Sequence, residues 1–169
     1  MGRPGATDMQ IDHADIGGRR IRYGVHIGDR ARPPLLLLNG LGANIELAEP
    51  FIDALPGRTV AIFDVPGVGG SPMPRLPYRP SGIATLAAGL LDHLGYAEAD
   101  VLGVSWGGAI AQQFAHDHAR RCRRLVLAAT SPGALMVPGA ATNGGYRSLP
   151  SAAGAGRCPP DRDRIQSRQ

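Results

Sequence analysis

The stretch Gly103-Val104-Ser105-Trp106-Gly107-Gly108 separates a short apolar run, Asp100–Val104, from a segment with helical spacing, Trp106–Arg120. A serine with glycines two positions to either side, at a strand-to-helix junction, marks a turn too sharp for bulky neighbours. Gly103 and Gly107 meet that demand, and Gly108 lets the helix approach the sheet. Such a turn holds Ser105 in a strained backbone region at a helix N-terminus, where partial positive charge favours developing negative charge. The bland reading is a serine N-cap in a glycine-rich turn. The strand-turn-helix placement favours a nucleophile.

Working outward, short apolar runs alternate with helical periodicity. Met9–Ile16 and Arg19–Ile27 flank Gly17-Gly18 and read as a hairpin. Leu35–Leu38, Thr59–Phe63, Asp100–Val104 and Leu125–Ala129 read as strands buried on both faces. Ile45–Leu55, Ser81–Leu94 and Trp106–Arg120 read as helices, with Ser81 as an N-cap and Gly95 as a stop. Arg120-Arg121-Cys122-Arg123-Arg124 is expected to cap the third helix at its C-terminus. Strands and helices alternating in this way predict an α/β fold: a mostly parallel sheet with helices on both faces.

In such sheets the chemistry gathers beyond the carboxyl ends of the strands. Asn39-Gly40-Leu41-Gly42-Ala43-Asn44 follows the first buried strand. In an acyl-transfer reading the backbone N–H groups of Leu41 and Trp106 would form an oxyanion hole. A dinucleotide-binding reading fails, because Ile45 stands where the third glycine belongs. Asp64-Val65-Pro66-Gly67-Val68-Gly69-Gly70-Ser71 follows the second buried strand, and its aspartate reads as structural, satisfying loop donors.

Composition narrows the class. The 169 residues suit one domain, with 43% hydrophobic and 19% charged. The longest aliphatic run is Leu35–Leu38, which excludes a transmembrane helix, and Met1–Asp8 lacks the apolar stretch of a signal peptide. With two cysteines, Cys122 and Cys158, a reducing cytoplasm is the expected compartment. No Cys-x-x-Cys or His-Glu-x-x-His spacing suggests a metal. The net charge of +4 arises mainly after Gly139, so the folded part carries no nucleic-acid stripe. Residues 8–139 therefore read as the folded core. Residues 140–169, poor in large apolar side chains, read as a disordered low-complexity tail.

Taken in order, Asn39–Asn44, Phe63–Ser71, Gly103–Gly108, Ala111–His116, Leu125–Thr130 and Met136–Gly139 resemble the first half of an α/β-hydrolase. More narrowly, they resemble the intracellular poly(3-hydroxyalkanoate) depolymerases. The resemblance implies a partial α/β-hydrolase fold truncated after about the sixth strand. It implies a serine ester hydrolase that cleaves a polyester of 3-hydroxyacyl units, or a small ester, through an acyl-serine without a cofactor. A granule surface is the partner implied, with neither nucleic acid nor membrane. Related α/β-hydrolases that cleave enol-lactones or carbon–carbon bonds are the alternative.

The same resemblance places a catalytic acid and then a histidine after Ser105, and none of His13, His26, His93, His116 or His118 fills that slot. The later acids, Asp161 and Asp163, lie in the tail. This chain is therefore expected to turn over weakly or not at all. The other reading is a catalytically dead fragment that interacts through exposed apolar surface. The loss of pattern after Gly139 reads as a frame-shifted or prematurely ended tail. The last strand is expected to leave an open edge prone to self-association.

Overall fold

Gly17 and Gly18 both adopt positive φ, 59° and 74°, which closes the two-residue turn that matches strand twist. The turn joins β1 (Met9–Ile16) to β2 (Arg19–His26), antiparallel from Ile16 opposite Arg19 to Met9 opposite His26. The computed structural model describes residues 8–131. They fall in the first of two units, Met1–Met136; the second, Val137–Gln169, lies outside the described residues. The readings of residues 140–169 and of Met136–Gly139 also lie outside the described residues.

The remaining strands are β3 (Leu35–Leu38), β4 (Val60–Phe63), β5 (Ala99–Val104) and β6 (Cys122–Ala128). The sheet order is β1-β2-β4-β3-β5-β6, parallel from β4 to β6, with β2 antiparallel to β4. Because β3 connects onward to its neighbour on one side and β5 to its neighbour on the other, the strand order reverses between them. That is where an α/β sheet opens a crevice at its carboxyl edge. Alternate residues supply two cores. Leu36, Leu38, Phe63 and Val101 pack under α2 (Pro80–His93) and α3 (Trp106–Asp117). Leu37, Val60, Ile62 and Leu102 pack with Ile45 and Ile52 near α1 (Glu49–Asp53). Helices thus cover both faces of a mostly parallel sheet.

Element boundaries depart from the sequence reading for identifiable reasons. Ile45–Leu55 is not one helix. A 3-10 turn, Glu46–Ala48, precedes α1, because Pro50 has no N–H to continue an i→i−4 ladder. Helix α2 begins at Pro80 rather than after a Ser81 cap: Arg79 holds the cap position without a side-chain bond, and Pro80 supplies the pre-set first turn. Helix α3 ends at Asp117, a 3-10 turn spans Ala119–Arg121, and β6 starts at Cys122.

The arginine cluster does not cap its own helix. Arg121 reaches the end of α2, donating to the carbonyls of Tyr96 (2.8 Å), Ala88 (3.0 Å) and Ala97 (3.2 Å) and pairing with Asp92 at 2.7 Å. Arg123 donates to both oxygens of Asp100 at 2.8 and 2.6 Å, and Arg58 adds a third bond. Strand β6 pairs only with β5 among the described residues, and Leu125, Val126 and Leu127 along it are exposed.

Burial pushes the Asp100 carboxyl up, and the bonds from Arg123 and Arg58 outweigh it, so its pKa lies below the ordinary carboxylate value. A group whose folded pKa is depressed stabilises the fold above its unfolded pKa, near 4, and that stability is lost as pH falls through the folded value. The melting temperature should therefore drop steeply below about pH 4. Asp100→Asn should melt roughly 5 °C lower at pH 7 and show a flatter acid limb by circular dichroism. Parallel acid limbs in the two proteins would show that Asp100 carries no such linkage.

Candidate active site at the β3–β5 crevice

Strand β5 ends at Val104, and the chain turns at Ser105 with φ 54° and ψ −119° before α3 begins. That φ falls where L-residues are rarely found and costs of order 1–3 kcal/mol, a cost the surroundings must hold in place. They do so closely. The Ser105 N–H donates to Ala128 O at 2.9 Å, and Ser105 O accepts from Gly108 N–H at 2.9 Å. A Cβ built on Gly103 would sit 2.5 Å from Gly107 O and 2.6 Å from the Ala111 Cβ, so the first glycine is required by helix–strand contact.

Ser105 occupies the N-cap position of α3, yet its side chain makes no capping hydrogen bond. The residue is exposed, so its hydroxyl opens at the N-terminus of a 12-residue helix. Across the crevice, the loop after β3 approaches it directly: a Cβ on Gly40 would lie 3.7 Å from the Ser105 Cβ.

The loop is braced from within. The Asn39 side chain donates to Asn44 O and accepts from Gly40 N–H, both at 3.0 Å, and Ala43 N–H donates to Gly40 O at 3.1 Å. Those bonds use the Gly40 amide. Among the described residues, neither the Leu41 N–H nor the Trp106 N–H donates to a protein acceptor. Leu41 is 75% exposed, and the Trp106 amide is one of the orphans at a helix start.

Asp64, fully buried at the end of β4, ties this region together. It accepts from the Ile45 N–H and the Gly70 N–H at 2.9 Å each, and from Arg22 at 3.0 Å. Gly69, at φ 53°, lies so close that any Cβ would strike the Asp64 carboxylate. Ser71 completes the knot, donating to Asp64 O at 2.6 Å and accepting from Arg22 N–H at 2.9 Å. The Arg22 guanidinium also grips Glu46, which holds Glu46 below and Arg22 above their ordinary pKa values. Asp64 is thereby spent on structure. The loop residues were legible in the sequence, but the Arg22–Asp64 contact joins positions 42 apart and had no local signal.

The five histidines lie elsewhere. His26 pairs with Val60, which is level with Leu35 and so with Asp100, five residues before Ser105 and three strands away. At ~3.3 Å per residue and ~4.8 Å per strand, that is about 20 Å. His13 is exposed on edge strand β1, four strands or about 19 Å from β5. His93, at the end of α2, lies 3.3 Å from the Tyr23 hydroxyl. His116 pairs with Asp117, and His118 packs against Phe114, some 16–20 Å along α3 from Ser105. Among the described residues no group of three or more His, Cys, Asp or Glu is placed to hold a metal ion. No helix there is long and apolar enough to cross a membrane.

Residues 33–150 match the family model described as alpha/beta hydrolase fold. The chain is 57% identical over 126 residues to a poly(3-hydroxyalkanoate) depolymerase from Ectopseudomonas oleovorans, covering 74% of this chain and 44% of that protein. It is 32% identical over 129 residues to a soluble epoxide hydrolase from Corynebacterium, covering 76% of this chain and again 44% of the relative. A solved hydrolase from Pseudomonas aeruginosa superposes with a TM-score of 0.67 at 31% identity, covering 72% of this chain and 46% of the other. The chain thus spans less than half the length of the curated relatives it matches.

Proposed function

The chain belongs to the alpha/beta hydrolase fold family, and from that premise we propose that it carries the nucleophile half of a serine ester hydrolase acting on polyesters of 3-hydroxyacyl units. The observation that carries this reading is the state of Ser105: exposed, strained and not spent on capping its helix. A serine retained only to start a helix would use its hydroxyl on a neighbouring amide.

In this reading the Ser105 Oγ attacks the ester carbonyl carbon and yields its proton to a general base. The carbonyl oxygen gains the negative charge and takes hydrogen bonds from the Leu41 and Trp106 amides. Collapse expels the alcohol and leaves an acyl-serine, which water then hydrolyses. The base must lie within hydrogen-bond reach of Oγ, and none of the five histidines, all among the described residues, is placed there. The polyester substrate is supported by the 57% identity to a depolymerase.

A fluorophosphonate probe followed by peptide mass spectrometry tests the assignment. Ser105 is expected to be the labelled residue, slowly, and Ser105→Ala is expected to abolish the adduct. Labelling confined to another serine would remove the basis of the proposal.

A further inference from the structure

The loop after β4 continues as Pro72-Met73-Pro74-Arg75-Leu76-Pro77-Tyr78-Arg79-Pro80. Its prolines fix φ and stiffen the backbone, which bends at Arg75 and Leu76, and no residue of it before Pro80 enters a helix or strand. It is anchored at both ends. The Gly67 N–H donates to Ser71 O and Pro72 O at 3.3 and 3.0 Å, and the Tyr78 ring packs on Trp106 with centroids 6.1 Å apart. Between the anchors two large apolar side chains face water, Met73 at 79% and Leu76 at 74% exposure.

A single exposed apolar residue is ordinary; here the setting is not. Met73, Arg75 and Leu76 line a cleft of about 530 Å³ together with Arg19, Arg20 and Pro66. The strand register places this cleft at the carboxyl edge of the sheet, the edge that also bears Ser105: Arg19 and Arg20 lie beyond Tyr23, which is opposite Phe63 at the end of β4. Asp15 stands opposite Arg20. Arg19 and Arg75 make no ion pair among the described residues.

We propose that this loop and the β1–β2 turn dock the protein onto a lipid surface carrying anionic headgroups, with Met73 and Leu76 entering the apolar layer and Arg19, Arg20 and Arg75 meeting the headgroups. Two apolar side chains beside unpaired arginines complement such an interface. The prolines lower the ordering cost of docking by limiting the conformations the free loop can adopt. Nucleic acid fits less well, since no aromatic ring lines the cleft to stack on a base. The Tyr78–Trp106 contact would set the docked surface beside the β3–β5 crevice. The inference does not depend on the chemistry assigned to Ser105.

Flotation of the full chain with vesicles of phosphatidylcholine, or of phosphatidylcholine with 30% phosphatidylglycerol (roughly one acidic lipid in three), tests it in about 0.1 M salt. Binding is expected to favour the anionic vesicles at least about tenfold. Arg75→Gln should weaken that binding roughly fivefold. Met73→Ser with Leu76→Ser should weaken it at least about tenfold, with an unchanged circular dichroism spectrum. Met73→Leu should retain it. Equal binding to both vesicle types would overturn the proposal, as would loss of binding in Leu125→Ser with Leu127→Ser but not in the loop variant. Displacement by a single-stranded oligonucleotide at equal charge would assign the cleft to nucleic acid instead.

Discussion

Replacing Gly107 by alanine is expected to cost about 3 kcal/mol or more, a large share of the 5–15 kcal/mol that holds a typical domain together. The reason is what the new methyl would meet. A Cβ at Gly107 would overlap Leu38 O and lie 2.5 Å from both Leu38 C and Asn39 O. All three are backbone atoms at the start of the loop braced by Asn39, so no rotamer change relieves the overlap. Either α3 withdraws from β3 or the Asn39–Asn44 loop moves, and both separate the Leu41 amide from the Trp106 amide. The melting temperature should fall by roughly 10 °C or more, and fluorophosphonate labelling of Ser105 should fall with it. The nearest atoms a Gly108→Ala methyl would meet are the Thr130 Cβ, Oγ1 (2.5 Å) and Cγ2 (2.6 Å), side-chain rather than backbone atoms, so it should cost less. Gly82, on α2 with nothing within 4 Å, is the control: alanine there should stabilise by about 0.5–1 kcal/mol. A Gly107→Ala protein that melts like the parent would show that the close approach of α3 to β3 is not what the turn requires.

The contrast between these glycines shows which parts of the structure the sequence encodes locally. Gly103 and Gly107 are readable because a turn at Ser105 admits nothing larger, and Leu35–Leu38 is readable because a strand covered on both faces needs no polar alternation. Long-range polar contacts had no such signature. Arg121 looks like a helix-capping residue from its neighbours, yet it satisfies carbonyls of the preceding helix and its exit, 24 to 33 residues earlier. Arg22 sits in a hairpin strand and gives no local hint that it clamps Asp64 and Glu46. Boundaries slipped where proline or a shared 3-10 turn decided them, at Pro50, Pro80 and Ala119–Arg121. Motifs that rest on steric exclusion were legible one residue at a time. Contacts chosen by the finished fold were not.

Ester turnover by this chain should run about 10⁶-fold below that of a serine esterase with an intact triad, since removing the base alone costs nearly as much as removing the whole triad. The expectation follows from position. All five histidines are accounted for among the described residues, and each is held by its element well away from Ser105 or is engaged with Tyr23, Asp117 or Phe114. Asp64, the carboxylate nearest in register to the crevice, is fully occupied by Ile45, Gly70 and Arg22. On the proposed reading, a strained hydroxyl, two amides without a protein acceptor among the described residues and a helix N-terminus would stabilise an oxyanion without removing the serine proton. Hydrolysis of p-nitrophenyl octanoate measures this directly. A chimera joining residues 8–131 to the later half of the Ectopseudomonas depolymerase should gain at least about 10³-fold, and Ser105→Ala should cancel the gain. If the chain alone matched an intact esterase and lost that rate in Ser105→Ala, a base would have to reach Ser105 by a route these histidine positions exclude, and the two-part account of the site would fall.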